Sequence, residues 1–137
     1  MGCFLLMITL DTHVIIWDAL KPEKISPKAR EVINLANDSG EIIIVDISLW
    51  EIAMLMKKKR LKVDVHYNDF IKLIREANSY VVQSITAEIA ERSVSIFSQI
   101  AVDPVESIIC AVSQILNAPL VTADTNLGNS DSIKTIW

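Results

Sequence analysis

The sequence predicts an α/β fold, a three-layer α/β/α sandwich with a central, mostly parallel sheet. Short apolar runs alternate along the chain with longer segments whose apolar residues recur at helical spacing. Residues 42–45 are continuously β-branched, which is typical of a parallel strand buried on both faces. An alternation of such strands and helices favours a parallel sheet covered by helices. A length of 137 residues favours a single domain over residues 1–137.

The elements follow from the apolar runs and from the residues that bound them. Five short apolar runs are predicted strands: residues 7–10, 42–45, 80–85, 120–123 and 133–136, the last at a sheet edge. Six segments are predicted helices: residues 14–20, 27–37, a helix from Ser48 into the charged residues 57–60, then 67–77, 87–98 and 105–116. The boundary residues are Ser26 with Pro27, Ser48, Thr86 and Asp103 with Pro104 at helix starts, and Pro22, Gly40 and Pro119 after helix ends.

The charge balance excludes a protein that coats nucleic acid through many cations. There are 13 Lys and Arg residues against 17 Asp and Glu residues, a formal net charge of -4, whereas coating depends on clustered cations. An enzyme that contacts nucleic acid through a local basic patch is still compatible with this balance. The basic residues within 57–62 are either a solvated helix end or such a patch.

Cysteine usage and the N-terminus favour a cytoplasmic protein. Cys3 and Cys110 have no metal-binding spacing, and a disulfide-stapled fold needs more cysteines. The apolar residues 3–10 have about half the length of a membrane span and lack the flanks of a signal peptide, so no membrane association is predicted. Residues 1–6 are expected to be a peripheral extension before the strand that Met7 opens.

Six carboxylates follow predicted strands or begin predicted helices: Asp11, Asp46, Glu51, Asp103, Glu106 and Asp124. Because parallel sheets bind ligands beyond the carboxyl ends of their strands, these acids are expected to converge at one end of the sheet. Neither Lys nor Arg occurs in these local segments to offset them. A divalent cation with oxygen ligands, Mg²⁺ or Mn²⁺, is the simplest partner for such a cluster.

Each acid also has a purely structural interpretation. Ser48 and Glu51 match a capping box, and Asp103 and Glu106 match its acidic analogue. Asp11 is also compatible with an N-cap, and Asp124 with a turn residue. Other chemically interesting residues are expected to lie on the surface or in the core: His13, His66, Cys110, Trp17, Trp50 and Trp137.

Four segments in order resemble the PIN-domain family, in particular the VapC-type toxin ribonucleases. They are LDTHVIIW at residues 10–17, ISLWEI at 47–52, DPVESIICA at 103–111 and LVTAD at 120–124. The resemblance covers residues 7–137 and implies a compact α/β/α sandwich. It implies a metal-dependent endoribonuclease that hydrolyses RNA phosphodiester bonds as the toxin of a type II toxin–antitoxin pair. It further implies a homodimer that a small antitoxin neutralises.

The resemblance assigns the acids position by position. Asp11, Glu51 and Asp124 match the family's acidic residues. The third motif departs, because Glu106 stands where the family usually has Asp and Ser107 where Arg is common. Glu106 or Asp103 is therefore the candidate third ligand. Asp46 stands where the family tends to have a small residue.

The expected mechanism is metal-assisted hydrolysis of single-stranded or loop RNA. The acids would hold Mg²⁺ or Mn²⁺, and three further residues are expected to contact ligands or water: Thr12, Thr122 and Asn126.

Two other functions compete with this one. A receiver-like signalling domain would need paired acids after the first strand and a Lys after a late strand, and residues 120–127 contain no Lys. The stronger alternative is a catalytically weakened PIN-like module that binds an antitoxin or RNA without efficient cleavage because of Glu106.

Overall fold

The computed structural model describes residues 6–137, in which five strands alternate with seven α-helices. The strands are β1 (Met7–Leu10), β2 (Glu41–Val45), β3 (Tyr80–Gln83), β4 (Leu120–Val121) and β5 (Thr135–Ile136). The helices are α1 (Thr12–Leu20), α2 (Pro27–Ser39), α3 (Asp46–Lys57), α4 (Tyr67–Ala77), α5 (Ala87–Gln99), α6 (Pro104–Ile115) and α7 (Thr125–Gly128). A short 3₁₀ turn, Pro22–Lys24, follows α1.

The strands form one parallel sheet in the order β3-β2-β1-β4-β5. β1 is the central strand: Ile8 lies opposite Ile42 of β2, and Leu10 lies opposite Val121 of β4. All four strand pairings in the described part of the chain are parallel. The carboxyl ends of all five strands therefore lie at one edge, and the predicted parallel sheet is confirmed.

Helices cover both faces of the sheet. Ile42 and Ile44 of β2 pack with α1, α2 and α4 in one core cluster, whereas Ile43 and Val45 pack with α5 and α6 in the other. These four side chains are between 0% and 2% exposed. Because successive side chains of a strand point to opposite faces, one continuous apolar run fills both cores. The predicted three-layer sandwich is confirmed.

Three of the predicted helix starts are confirmed by their capping hydrogen bonds. The Ser26 hydroxyl accepts from the backbone N–H of Ala29 at 3.1 Å, and the Thr86 hydroxyl accepts from that of Ile89 at 3.2 Å. The Asp103 carboxylate accepts from the backbone N–H of the third helical residue of α6 at 2.8 Å. Such a cap satisfies a donor that the helix leaves unpaired.

The predicted start of α3 at Ser48 is wrong. α3 begins at Asp46, and Ser48 lies inside it. The buried hydroxyl of Ser48 shares a 2.8 Å hydrogen bond with that of Thr12 on α1. Its partner is a tertiary neighbour 36 residues away in sequence, which a local pattern does not reveal. The capping-box interpretation of Glu51 is therefore also wrong, because Glu51 does not lie in the first turn of α3.

Other boundaries differ at the ends of the elements. Helix α1 begins at Thr12 instead of residue 14, and β3 ends at Gln83, β4 at Val121. β5 is confined to Thr135–Ile136, and α7 was not predicted. Residues 1–5, which include Cys3 and most of the predicted extension, lie outside the described residues. No single helix within residues 6–137 is long and apolar enough to cross a membrane, although α5 and α6 would pass that test together across a 117° bend.

Candidate functional site

Three of the predicted acids line one cavity of about 260 Å³, here called the acid pocket. Asp11 follows β1, Asp124 follows β4, and Glu106 lies in the first turn of α6. The remaining lining residues are His13, Val14, Trp17 and Ala123. No Lys or Arg is among them, so the pocket gathers carboxylates at the carboxyl edge of the sheet without a cationic side chain in its wall.

The Asp11 carboxylate is held inside the fold. The chain reaches it along β1, whose last hydrogen bond runs from the Asp11 N–H to the Val121 carbonyl at 3.1 Å. The Thr122 hydroxyl donates to Asp11 Oδ2 at 2.8 Å. Burial raises the pKa of the Asp11 carboxyl, and the Thr122 hydrogen bond opposes that rise. Asp11 occupies the N-cap position of α1 but its side chain caps no backbone N–H, so its N-cap interpretation fails.

Asp124 does cap a helix. Its Oδ1 accepts from the backbone N–H groups of Asn126 at 2.8 Å and Leu127 at 3.4 Å, at the start of α7. Its own N–H donates to the Thr122 hydroxyl at 3.1 Å. Thr122 therefore ties the two strand-end aspartates, Asp11 and Asp124, into one hydrogen-bonded unit. The role of Thr122 beside a bound ligand or water stays a prediction.

The Glu106 carboxyl is strongly perturbed by its surroundings. Burial, and then the charges of Asp11, Asp124, Asp103 and Glu51, together raise its pKa to about 8. Like charges favour the protonated form only when they lie close to the titrating group. The five predicted ligands therefore share one electrostatic environment, although their elements are far apart in sequence.

Glu51 and Asp103 lie at the margin of the acid pocket. Glu51 is half-buried on α3 and lines the adjoining cavity instead. Burial raises the pKa of its carboxyl, and the charges of Asp103 and Asp11 add to this rise. Asp103 is exposed and its Oδ1 caps α6. The capping interpretation is thus confirmed for Asp103.

Residues 8–131 match the PIN domain. The chain belongs to the PIN-domain family. A relative in Mycobacterium tuberculosis, Ribonuclease VapC22, is 28% identical over 132 residues, which are 95% of this chain and 98% of the relative.

Solved structures share the fold of this PIN domain. One is VapBC2 from Rickettsia felis bound to a DNA fragment from their promoter, with a TM-score of 0.73 and 12% identity over 96% of this chain and 98% of the other. Another is DNA-bound VapBC from Salmonella typhimurium, with a TM-score of 0.70 and 18% identity over the same shares, 96% and 98%.

Two other residues, Thr12 and Asn126, were predicted to contact ligands or water. Thr12 is buried and bonds Ser48, which fixes α1 against α3 beside the site. Asn126 contributes its backbone N–H to Asp124, and its side chain is exposed. Ser48 was missed as a supporting residue. His13 and Trp17 were expected only on the surface or in packing, but both line the acid pocket, as their i, i+4 spacing on α1 would allow.

Asp46 lies outside the acid pocket. It lines an apolar groove of about 470 Å³, and its Oδ2 accepts from the Ile85 N–H at 3.3 Å, which ties the start of α3 to the chain after β3. Trp50 lines the same groove and is 53% exposed, so its prediction as a packing anchor is wrong. Cys110 is fully buried, as predicted. His66 is exposed and lines no part of the acid pocket.

The donor set of the acid pocket fits a hard divalent cation. Asp11, Glu106 and Asp124 offer carboxylate oxygens, the ligands that Mg²⁺ and Mn²⁺ prefer. Within residues 6–137, however, no three His, Cys, Asp or Glu side chains are arranged as a ready metal site. The ligand atoms of the pocket therefore fit such an ion, although its side chains are not already arranged around a metal position.

Proposed function

We propose that this PIN-domain protein is a divalent-metal-dependent ribonuclease that hydrolyses RNA phosphodiester bonds. We propose further that it is the toxin of a type II toxin–antitoxin pair. The observation that carries the proposal is the gathering of Asp11, Glu106 and Asp124 in one pocket without a neutralising Lys or Arg. The name of the relative from Mycobacterium tuberculosis supports the ribonuclease activity, and the solved VapBC structures support a protein partner.

Asp11, Glu106 and Asp124 would hold the ion, with Glu51 and Asp103 at its margin. Bound there, the ion would polarise a phosphate and lower the pKa of an attacking water. Thr122 orients two of the ligands by accepting from the Asp124 N–H and donating to Asp11. This support matters because ligand groups must be held rigidly to act.

Glu106 holds a proton on its carboxyl at neutral pH, since its pKa is about 8. Ionisation of this carboxyl is therefore coupled to cation binding, because a nearby positive charge favours the anion. The coupling predicts that metal affinity rises with pH through this range. Glu106 thus adds pH sensitivity to the site.

The test is cleavage of a labelled single-stranded RNA with Mn²⁺ and with chelator, compared with thermal unfolding under the same conditions. The parent protein should cleave only with Mn²⁺, and Asp11→Asn should lose activity by about 100-fold or more. Saturating Mn²⁺ at about 100 times its Kd should stabilise the parent by about 2.7 kcal/mol and the variant by much less. Asp38→Asn, an exposed aspartate at the end of α2, is the matched control.

The weakened-module alternative gives a different outcome. A parent protein that is stabilised by Mn²⁺ but does not cleave RNA would favour a binding module, and Glu106→Asp would then be expected to raise activity. Unaltered cleavage by Asp11→Asn would contradict the whole site.

The partners belong to the same proposal. A small antitoxin would silence the enzyme most simply by an Arg that pairs with the acid-pocket carboxylates. A homodimer would use the apolar groove lined by Ile47, Trp50 and Ile85, since exposed apolar patches of this kind mark protein contacts. Trp50→Glu should then yield a folded monomer in analytical ultracentrifugation, whereas an unchanged dimer would locate the interface elsewhere.

A further inference from the structure

A second cavity adjoins the acid pocket, and its wall is aliphatic and basic. It has a volume of about 480 Å³ and lies along α1, the turn after it and the end of α3. Its wall contains three cations, Lys21, Lys24 and Arg60. We call this cavity the basic groove. Its acidic lining residue is Glu51, one of the candidate ligands.

The basic groove adjoins the acid pocket. His13 and Trp17 line both cavities, so one side of α1 forms a shared wall. A chain lying in the groove would therefore lie beside the pocket that holds the carboxylate cluster. A ligand bound in the groove would therefore lie at a defined distance from the acid pocket, which a separate surface patch would not ensure.

Aromatic rings form the shared wall. The Trp17 ring centroid lies 6.0 Å from that of His13 and 5.8 Å from that of Trp137, with tilted ring planes. The Lys24 ammonium lies 5.6 Å from the Trp17 centroid. Trp17 is half-buried, while Trp137 is exposed. Rings beside cations are the combination with which proteins bind single-stranded nucleic acid, because every base can stack and every nucleotide carries a phosphate.

The three cations are available to a ligand. Lys21, Lys24 and Arg60 are exposed, and within residues 6–137 the ion pairs are Arg30 with Asp18 and Lys72 with Glu76. None of the three groove cations takes part in them.

A tight turn brings Arg60 to the groove. After α3, Lys59 adopts a left-handed conformation with φ 58°. The Arg60 N–H then donates to the Leu55 carbonyl at 2.9 Å, and the Lys59 N–H to the Met56 carbonyl at 3.1 Å. This is the double hydrogen bond of a Schellman motif, which reverses the chain at a helix end. Lys57 and Lys58 precede the reversal and do not line the groove.

We propose that the basic groove binds the single-stranded RNA that continues out of the acid pocket. Lys21, Lys24 and Arg60 contact its phosphates, and Trp17 stacks on a base beside the bond to be cut. This inference rests on the proposed ribonuclease function and adds the surface that supplies affinity. Exposed cations beside an aromatic ring suit the phosphates and bases of an RNA strand.

The first test measures binding without cleavage. Fluorescence anisotropy of a labelled single-stranded oligoribonucleotide is recorded in chelator across a range of salt concentrations. The triple variant Lys21→Gln, Lys24→Gln, Arg60→Gln should bind about tenfold more weakly at low salt, and its salt slope should fall by about 2, since each phosphate contact on a single strand contributes about 0.7. The matched control Lys28→Gln, Lys57→Gln, Lys58→Gln removes three exposed cations from outside the groove and should have a much smaller effect.

The second test concerns stacking. Trp17→Leu should weaken RNA binding about tenfold, whereas Trp17→Phe should retain most of it because the ring persists. Circular dichroism and thermal unfolding check that both variants fold. If the Leu variant does not fold, the Phe variant and the cation triple carry the test.

Each outcome supports or overturns the proposal. Equal weakening in the cation triple and its control would indicate diffuse charge attraction and overturn it, as would equal binding by the two Trp17 variants. Loss of binding to a co-purified protein partner with RNA binding intact would assign the groove to that partner instead. Because anisotropy needs no cleavage, a parent protein that binds RNA through the groove but does not cut it would refute the ribonuclease proposal alone.

Discussion

The carboxyl of Glu106 should make the stability of the protein depend on pH. In the folded protein its pKa is about 8, raised first by burial and then by the neighbouring carboxylates, while its ordinary value is 4.5. Between these values the folded state keeps a proton that the unfolded chain has lost. Folding then takes up a proton, so stability falls as pH rises through this range. Below pH 4.5 the carboxyl is protonated in both states, so it costs no stability. Above pH 8 it is ionised in both states, and the loss of stability is complete.

The magnitude follows from the size of the shift. At about 1.4 kcal/mol for each pH unit, a fully buried carboxyl with this shift would lose about 5 kcal/mol. Glu106 is only half-buried, so solvent screens its interactions. We expect a loss of about 2 kcal/mol between pH 5 and pH 9 that is specific to this side chain.

This loss of stability is measured by urea unfolding of the parent and of Glu106→Gln, in chelator at pH 5, 7 and 9. The variant cannot ionise, so it should match the parent at pH 5 within about 1 kcal/mol and exceed its free energy of unfolding by about 2 kcal/mol at pH 9. Glu91→Gln, on the exposed face of α5, is the control and should follow the parent at every pH. Parallel curves for the parent and Glu106→Gln would refute the reasoning, because the carboxyl would then titrate alike in both states.

Three further predictions concern the scaffold around the site, each measured as the free energy of unfolding in urea. Gly40→Ala should lose about 2 kcal/mol or more, because a Cβ there would lie 1.9 Å from the Leu6 carbonyl oxygen; a neutral effect would mean that the backbone yields easily. Lys59→Gly should gain about 0.5 kcal/mol, since glycine accepts φ 58° without strain but costs more chain entropy; a loss would show that the Lys side chain stabilises the turn. Ser48→Ala should lose about 1–3 kcal/mol by leaving the buried Thr12 hydroxyl without its partner; an unchanged value would mean that the hydroxyl finds another partner.

The fold could be predicted because its signals are local or periodic. The β-branched run at 42–45 must be buried on both faces wherever it lies, which implies helices on both sides of a parallel sheet. The caps at Ser26 and Thr86 also act within three residues along the chain. Such features depend little on tertiary contacts, and they were predicted correctly.

Features that depend on tertiary partners could not be predicted. Ser48 is of a residue type that often caps helices, but its hydroxyl shares a hydrogen bond with Thr12 on another helix. Asp11 likewise has the position of a cap, yet its partner is Thr122, which lies 111 residues away in sequence. The convergence of the acids could be predicted from their positions at the carboxyl ends of parallel strands, but the side-chain partners that hold each acid could not.

The protein carries a net negative charge, and as the proposed ribonuclease it would have to hold a polyanion against a cluster of carboxylates. Like charges in the acid pocket repel a phosphate, so that pocket supplies little affinity until its own charge is offset. In the proposal, the basic groove supplies the attraction next to that pocket, and His13 and Trp17 line both cavities. Binding and bond cleavage would then be carried by different side chains on adjacent surfaces. Substitutions in the groove should therefore act on affinity and its salt dependence, whereas substitutions at Asp11 act on hydrolysis.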